Sequence, residues 1–239
     1  MKDYRLNLES GPRHRKTIAH MPDLPGCIAQ SATTATVIEA SPDAIRVFLG
    51  FLKRHGEAVD VQSCFTVTIS EHVTQGIWLA NGDPPSGFKT DFYPLTSEEL
   101  ADDVRRLTWM QADLLERVRP LTAAARAVLP DEHQRSVDQI LVHIAETNCM
   151  HVRYQVGPVA GAAEALKAVR LNPENLLETL PSLWHILDDR LANLTTDERE
   201  RQVPHGQVTW TAQRALRRLL EHTWAHLLEI ARRQGWSPA

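Results

Sequence analysis

Two of the eleven histidines in this chain, His222 and His226, lie four residues apart near the C-terminal end. On an α-helix, side chains with this spacing lie on one face with Cβ atoms roughly 5–6 Å apart. Two imidazole rings placed in this way can share one metal ion through bonds of about 2.0 Å. In a chain of this composition, roughly 0.4 to 0.5 histidine pairs with this spacing are expected by chance. The alternative interpretation is therefore two core histidines with ordinary hydrogen bonds.

A third histidine, His143, is predicted to face the same interior from another helix. Apolar residues and the histidines form two rows at spacings of three and four. These rows are Ala212, Ala215, Leu219, His222, His226 and Ile230, and Ser136, Ile140, His143 and Thr147. The spacing predicts that all three rings point into a helical core. Three neutral nitrogen ligands leave a fourth position open on Zn²⁺, as in catalytic rather than structural zinc sites.

Two glutamates, Glu146 and Glu229, lie one turn after His143 and His226. Either is a candidate to accept a proton from a metal-bound water or to orient a ligand ring. The alternative is an ion pair on the helix surface, with Arg153, Arg232 or Arg233 as the partner.

Several neighbouring residues receive no role in the predicted site. Glu221 points about 100° away from His222 around the helix. His151, His185 and His205 are weaker candidates for the mouth of a cavity, and we expect them to be exposed or capping. The large apolar side chains Trp184, Trp210 and Trp224 are expected in the core.

Four amphipathic helices are predicted to carry these residues. Their approximate bounds are 96–120, 133–154, 175–194 and 209–233, and the rest of the C-terminal half is predicted to contain only connecting segments. The first helix begins with Thr96-Ser97-Glu98-Glu99, a capping sequence followed by first-turn acids. Four helices of about 20 residues favour a bundle.

The first 75 residues predict a small α/β layer. Alternating apolar and polar residues indicate strands at 4–8, 15–21, 27–30 and 65–69, with turns at Gly11-Pro12 and at 22–26. Thr33 or Thr34 can cap a helix, and Ser41-Pro42 offers a fresh helix start. That helix is expected to end near His55-Gly56, which gives the order β-β-β-α-β.

Charge and composition argue against several classes of protein. The chain has 30 acidic and 26 basic residues, a formal net charge of −4, and 43% hydrophobic residues, so it is globular without a field that attracts nucleic acid. The basic clusters are therefore expected on solvated surfaces; they comprise Arg13, His14, Arg15 and Lys16, and Arg214, Arg217 and Arg218.

The cysteines and the N-terminus predict a cytoplasmic protein. Cys27, Cys64 and Cys149 are odd in number and far apart, as buried small hydrophobic residues in a reducing compartment would be. The N-terminal MKDYRLNLES is polar, and no apolar run reaches 18 residues, so no membrane association is expected.

The C-terminal half resembles the DinB/YfiT-like superfamily. The resemblance covers about 96–235 and is carried by DQILVHIAETNCMHVRY and QVTWTAQRALRRLLEHTWAHLLEI. Members bind a divalent metal through one histidine on the second helix and an HxxxH motif on the fourth. The resemblance thus implies His143, His222 and His226 as metal ligands. Zinc or nickel is favoured, while copper and iron also suit imidazole.

The N-terminal part resembles a HicB-like domain over roughly 20–57. The resemblance is carried by AHMPDLPGCIAQSATTATVIEASPDAI followed by LKRHGE, because a PDLPGC turn leading through a strand into an amphipathic helix is the hallmark of that family. It implies an antitoxin-like module that binds a small ribonuclease partner. No appended helix-turn-helix or ribbon-helix-helix motif for operator DNA follows it in this sequence.

We therefore expect an α+β protein of two domains. A β-β-β-α-β HicB-like layer spans 1–75, a linker spans 76–95, and a DinB-like four-helix bundle spans 96–239. No GxGxxG, GxxxxGK[ST] or GxSxG motif occurs, nor do the paired ExxH motifs of di-iron bundles. The expected function is metal-dependent transfer or hydrolysis of a small molecule, including thiol-dependent reactions. The alternatives are a non-catalytic HicB antitoxin-like binding module and, for assembly, a homodimer.

Overall fold

The alternating N-terminal segments form a four-stranded sheet in the computed structural model, which describes residues 1–11, 16–76, 79–80 and 87–237. The strands are β1 (Lys2–Ser10), β2 (Thr17–His20), β3 (Ile28–Ser31) and β4 (Phe65–Val73). Their order is β3-β2-β1-β4; β1 and β3 run antiparallel to β2, and β4 runs parallel to β1. The predicted turn at Pro12, most of the basic cluster at 13–16 and much of the predicted linker lie outside the described residues.

A single helix, α1 (Thr34–Arg54), packs against β2 and β3. Thr33 caps its first turn, and the helix ends at His55, as predicted. The prediction that Ser41-Pro42 starts a new helix is wrong, because α1 continues through Pro42. Pro42 cannot donate to the carbonyl four residues earlier. The helix therefore lacks the backbone bond from residue 42 to the Ile38 carbonyl, and the turn is retained by the bonds on either side of it.

The four predicted long helices are present in the C-terminal part. They are α2 (Ser97–Val118), α4 (Val137–Val156), α6 (Leu176–Ala192) and α8 (Ala212–Arg233), and the short helices α3 (Ala123–Ala127), α5 (Ala162–Leu171) and α7 (Thr196–Glu200) lie between them. Helix α8 packs against α2 and α4, and α6 packs against the same two helices from the other side. This arrangement is a four-helix bundle. The Thr96–Glu99 capping box is also formed, as the sequence indicates.

The expectation that helices alone follow residue 96 is wrong. Strands β5 (Val203–His205) and β6 (Val208–Trp210) form an antiparallel hairpin before α8. Gly206 takes a positive φ of 61° in its turn, a conformation that glycine adopts without steric cost. Because residues 208–210 are extended and Thr211 is the N-cap, α8 begins at Ala212 rather than near Thr209.

The sheet layer and the bundle share one hydrophobic core. Phe48 and Phe51 of α1 each pack their rings 5.0 Å from the ring of Trp224 on α8. Gly26, in the turn between β2 and β3, lies so close to the bundle that an added Cβ would be 3.0 Å from Met110 Cε and 3.2 Å from Leu220 Cβ. The N-terminal layer therefore packs directly against α2 and α8.

The three cysteines differ in their exposure to solvent. Cys27 is buried and Cys149 half-buried, but Cys64 is exposed in the loop before β4, so the expectation of three buried cysteines is wrong for that residue. All three are free thiols. No helix among the described residues combines the length and apolar character needed to cross a membrane.

Candidate metal centre

Helices α4 and α8 bring the three predicted histidines together. The ring centroids of His143 and His222 are 4.8 Å apart, those of His222 and His226 are 4.7 Å apart, and those of His143 and His226 are 5.3 Å apart. The ring planes meet at 72° to 89°, so the rings approach one another edge-on. One nitrogen from each ring lies within 4.8 Å of the others.

The spacing of these nitrogens fits a shared metal ion. Two ligands on a tetrahedral zinc, each bonded at 2.0–2.1 Å, have nitrogens roughly 3.3 Å apart. His143 Nε2 and His222 Nε2 are separated by 3.1 Å. Within the described parts of the chain, no further histidine, cysteine or carboxylate joins the group. A metal held here would therefore keep positions for water or substrate.

Burial keeps two of the rings uncharged. Burial, together with the nearby Arg135 and His226, lowers the pKa of His143 to about 4. Burial likewise holds the pKa of His222 well below its usual value. A histidine must be unprotonated to bind a metal, so both rings are ready ligands at neutral pH.

Glu229 orients the third ring. His226 Nδ1 donates a hydrogen bond of 2.8 Å to the Glu229 carboxylate, which leaves Nε2 as the nitrogen that can bind a metal. This hydrogen bond also lowers the pKa of Glu229. The same carboxylate accepts from Arg233, one of the ion-pair partners expected from the sequence. Metal-binding histidines commonly have such a carboxylate behind them.

Glu146 has no such contact, although it lies at the same spacing from His143. Its carboxylate accepts from Arg170 Nε at 2.6 Å on the surface. A surface ion pair was the alternative expected for it, but with a different partner. Arg170 lies on α5, which packs against α4 and was absent from the predicted helices.

A comparison with known families covers this part of the chain. The sequence model of the DinB superfamily matches residues 106–230, which is more than half of the chain and includes all three histidines. The chain belongs to the DinB superfamily. The N-terminal sheet of this DinB-superfamily protein lies outside the matched range, and no curated protein matches the chain.

One solved structure is similar to this DinB-superfamily protein. It is YfiT from Bacillus subtilis, described as a probable metal-dependent hydrolase with an unusual four-helix bundle topology. The two sequences are 22% identical, and the TM-score is 0.47. The match covers 66% of this chain and 99% of the YfiT chain.

The remaining histidines of the DinB-like half differ in their surroundings. His185 is exposed beside Asp189, as expected, and His205 is exposed with its ring 4.6 Å from that of Tyr154. His151 is only 1% exposed, so the expectation of an exposed or capping role is wrong. Hairpin β5–β6 covers it, with the Trp210 ring 5.2 Å away. The three tryptophans predicted in the core are buried: Trp184, Trp210 and Trp224.

The arginine cluster on α8 was predicted on a solvated surface, and this prediction is wrong. Arg214, Arg217 and Arg218 are all buried, because this side of α8 faces the sheet layer and the short 3₁₀ helix Lys89–Phe92. Arg217 donates to both Asp91 oxygens, at 2.6 and 2.8 Å, and to Glu221 at 2.9 Å.

Glu221, to which the sequence assigned no role, extends the same buried network. It accepts from His20 Nδ1 of β2 at 2.8 Å, so the network links α8 to the sheet. One sequence signal was available: Arg217 and Glu221 have the i, i+4 spacing of a helical ion pair. That spacing is equally common on exposed helices, so it does not reveal burial.

Proposed function

We propose that this protein binds one divalent metal ion through His143, His222 and His226 and uses it to hydrolyse a small molecule or transfer a group to or from it. The observation that carries the proposal is the convergence of three imidazoles from two helices in one metal-sized cluster. Imidazole ligands suit both zinc and nickel, and these are the two metals that we expect. When bound, such a metal lowers the pKa of its water to about 7 or holds a substrate thiolate.

The protein's own residues support this function in two ways. Glu229 fixes the orientation of His226, as described above, so part of the site is arranged before a metal arrives. The three histidines are only partly buried, so the cluster lies close to the protein surface.

Metal analysis tests the proposed centre. We expect untagged protein, purified without chelators and analysed by inductively coupled plasma mass spectrometry, to carry close to one zinc or nickel per chain. His222→Ala and His226→Ala should each lose most of it. His185→Ala is the matched control, because it removes an exposed histidine outside the cluster and should retain the metal. A wild type that stays metal-free and does not take up Zn²⁺ or Ni²⁺ would contradict the proposal.

Paired activity assays would separate hydrolysis from thiol transfer. Hydrolysis of 4-nitrophenyl acetate tests the first reaction. Displacement of chloride from monochlorobimane by the thiolate of cysteine tests the second. Each rate should fall to that of His222→Ala when the metal is removed and recover when it is restored. Rates in both assays that do not respond to the metal would leave the cluster without a catalytic role.

The open edge of the sheet favours a second function for the N-terminal layer. In the described sheet β4 lies at the edge and pairs only with β1, and Ile69 on β4 is 51% exposed. Unpaired edges of this kind invite another strand. We propose that residues 1–75 form a HicB-like domain, joined through 76–95 to the bundle, and that β4 binds a second copy of the chain.

The oligomeric state tests this second proposal. We expect size-exclusion chromatography with light scattering to give twice the chain mass of 26.9 kDa. Ile69→Lys should give the monomer, because a charge would then have to be buried in the paired edge. Asp60→Lys, in the exposed loop before β4, is the control and should stay dimeric. A monomeric wild type would favour a different partner for this edge, such as the small toxin that HicB-like proteins bind.

A further inference from the structure

A cavity of about 110 Å³ lies where the turn after β2, the 3₁₀ helix Lys89–Phe92 and helices α2 and α8 meet. Its wall combines charged side chains with apolar ones, among them Met21, Pro25 and Pro94. None of the three clustered histidines lines it, so it is separate from the candidate metal centre. A cavity of roughly 150 Å³ holds one benzene-sized molecule, so this cavity has room for a ligand of about five non-hydrogen atoms.

Asp103 on α2 brings a poorly paired carboxylate to this cavity. Its side chain is only 3% exposed, and its oxygens accept no hydrogen bond from the described residues. Arg106 Nη1 lies 3.8 Å from Asp103 Oδ1, which is beyond hydrogen-bonding distance. Arg106 instead donates to both oxygens of Glu57, at 2.7 and 2.9 Å. Buried polar groups are nearly always hydrogen-bonded, so a donor inside the cavity is what the Asp103 carboxylate lacks.

The positive charges around the cavity are already matched by other acids. Arg217 donates to both oxygens of Asp91, and Arg5 donates to both oxygens of Asp23. Glu99 caps the first turn of α2 and forms no ion pair within the described chain, so it adds a second negative charge to the wall. The cavity therefore carries an excess of negative charge, and a cation is the ligand that would balance it.

The spacing of the lining acids favours an organic cation over a metal ion. Among the described residues, only the three clustered histidines bring three ligand atoms within 4.8 Å of one another, so the carboxylates of this cavity do not converge on a metal. A primary ammonium has three N–H donors on one nitrogen and can bind a single carboxylate. Gln213 and Tyr93 line the same cavity and carry further oxygen acceptors. Tyr93 is 60% exposed, so its ring stands at the mouth, where an aromatic face attracts cations.

We propose that this cavity binds a primary alkylammonium group, with Asp103 as its counter-ion and Met21, Pro25 and Pro94 around its alkyl chain. A short unbranched amine matches both the volume and the mixture of apolar and acidic side chains. The same group ends the side chain of lysine, so the ligand is either a free small amine or a lysine of a peptide. The site does not depend on the proposed metal chemistry, because the two sites share no residue.

Ligand-observed NMR titrations with n-butylamine and n-butanol at pH 8 test the inference on the full chain. The amine is protonated at this pH, and the alcohol is its uncharged counterpart of the same length. Wild type should bind the amine at least ten-fold more tightly than the alcohol. Asp103→Asn should weaken amine binding by roughly ten-fold or more, the usual effect of losing a hydrogen bond to a charged group. Asp102→Asn is the matched control, because Asp102 does not line the cavity, and it should bind like wild type.

The pH dependence of binding is a second readout that needs no variant. Burial raises the pKa of Asp103 to about 7, so its carboxylate is mostly protonated at pH 5.5. Amine affinity of wild type should therefore fall by roughly ten-fold or more between pH 8 and pH 5.5, and that of Asp103→Asn should stay nearly constant. The other groups that act on Asp103 or line the cavity have ordinary pKa values outside this range. They are Arg106, Glu57, Glu99, Asp102, Arg5, Asp91, Tyr93 and Arg217.

Two further arms identify the ligand source and exclude the metal centre. Tighter binding of Nα-acetyl-lysine N-methylamide than of n-butylamine supports a lysine side chain of a peptide, and weaker binding supports a free amine. His222→Ala should bind n-butylamine like wild type. Binding that is lost in His222→Ala but kept in Asp103→Asn would place the amine on the metal and overturn the inference. A wild type that binds no n-butylamine, or binds n-butanol equally well, also overturns it.

Discussion

Glu146 and Glu229 each lie three residues after a histidine of the cluster, yet they have different contacts. Glu229 accepts a hydrogen bond from His226 Nδ1, whereas Glu146 pairs with Arg170 on the surface. The difference arises from what lies next to each glutamate, since α5 presents Arg170 to Glu146. The two residues are therefore a matched pair for testing whether a carboxylate behind a ligand ring matters.

We expect Glu229→Gln to weaken metal binding roughly 10- to 100-fold, the range typical when a group behind a metal ligand is lost. The amide holds the His226 ring less strongly and donates less electron density through it. Competition with a chromogenic chelator measures the affinity. Glu146→Gln should bind metal like wild type, and equal affinities for the two variants would show that the His226 contact has no effect.

Asp103 is a buried acid whose negative charge is only weakly compensated by a nearby basic group. Its side chain is 3% exposed, and Arg106 NH1 lies 3.8 Å away. Burial raises the pKa of Asp103 to about 7, although Arg106 opposes the shift. An acid whose folded pKa exceeds its unfolded value of 3.8 stabilises the fold when protonated. The stabilisation that protonated Asp103 gives to the fold is therefore complete below about pH 4, and it is lost as the pH rises through about 7.

We expect Asp103→Asn to raise the free energy of unfolding by roughly 1–3 kcal/mol at pH 8 and by much less at pH 4.5. Asparagine has no charge to desolvate, so the penalty at high pH disappears. Urea unfolding at both pH values measures the difference. Asp102→Asn is the control, because the Asp102 side chain is 38% exposed and pairs with Arg105 on the surface. A gain for Asp103→Asn that does not depend on pH would refute this explanation.

The sequence predicted the three histidines but not the charges that surround them. A row of apolar residues at spacings of three and four indicates which way His222 and His226 point, because helix geometry is local. The pairing of Arg217 with Asp91 joins residues 126 positions apart, and no local pattern encodes it. Arg218 and His151 were missed for the same reason, since their burial depends on the sheet and on hairpin β5–β6.

At the scale of elements, the long helices followed from periodicity and the short elements did not. Helices α2, α4, α6 and α8 present an apolar stripe for about 20 residues, which is a strong signal. Hairpin β5–β6 has three residues in each strand, and α5 has ten residues. Elements this short are marginal alone and form because neighbouring elements pack against them.

Two glycines separate the effect of backbone conformation from that of packing between elements. Gly26 and Gly56 have similar φ angles of 98° and 92°. A Cβ on Gly56 would meet nothing within 4 Å, whereas a Cβ on Gly26 would lie 3.0 Å from Met110 and 3.2 Å from Phe48 and Leu220. Both sites are strained for alanine, but only Gly26 lies where α1, α2 and α8 meet.

We expect Gly56→Ala to cost about 1–2 kcal/mol of stability, which is the cost of the positive φ alone. Gly26→Ala should cost about 1–3 kcal/mol more, because the added methyl group overpacks the contact between the elements. Denaturant unfolding of both variants measures these losses. If the two losses are equal, the turn moves away from the bundle easily and the contact is not tightly packed.

At the scale of the whole molecule, the sheet layer and the bundle are held together by apolar packing and by a buried charge network. Arg217 on α8 binds Asp91 and Glu221, and Glu221 binds His20 on β2. Removing one member of such a network leaves buried charges without a partner, which is far more costly than losing a surface ion pair. Because the network joins α8 to β2, it fixes the position of α8 relative to the sheet. This link lies one turn from the metal cluster.

We expect Arg217→Met to lower the free energy of unfolding by about 3–5 kcal/mol, because Asp91 and Glu221 are then stranded in the core. Neutralising them in Arg217→Met/Asp91→Asn/Glu221→Gln should recover part of this loss. Arg105→Met, which breaks an exposed pair with Asp102, should cost less than about 1 kcal/mol.

Since one core spans both parts, helix content and tryptophan fluorescence should be lost together in urea. Two separate transitions in wild type would instead show that the sheet layer and the bundle unfold independently, and the network would not be what couples them.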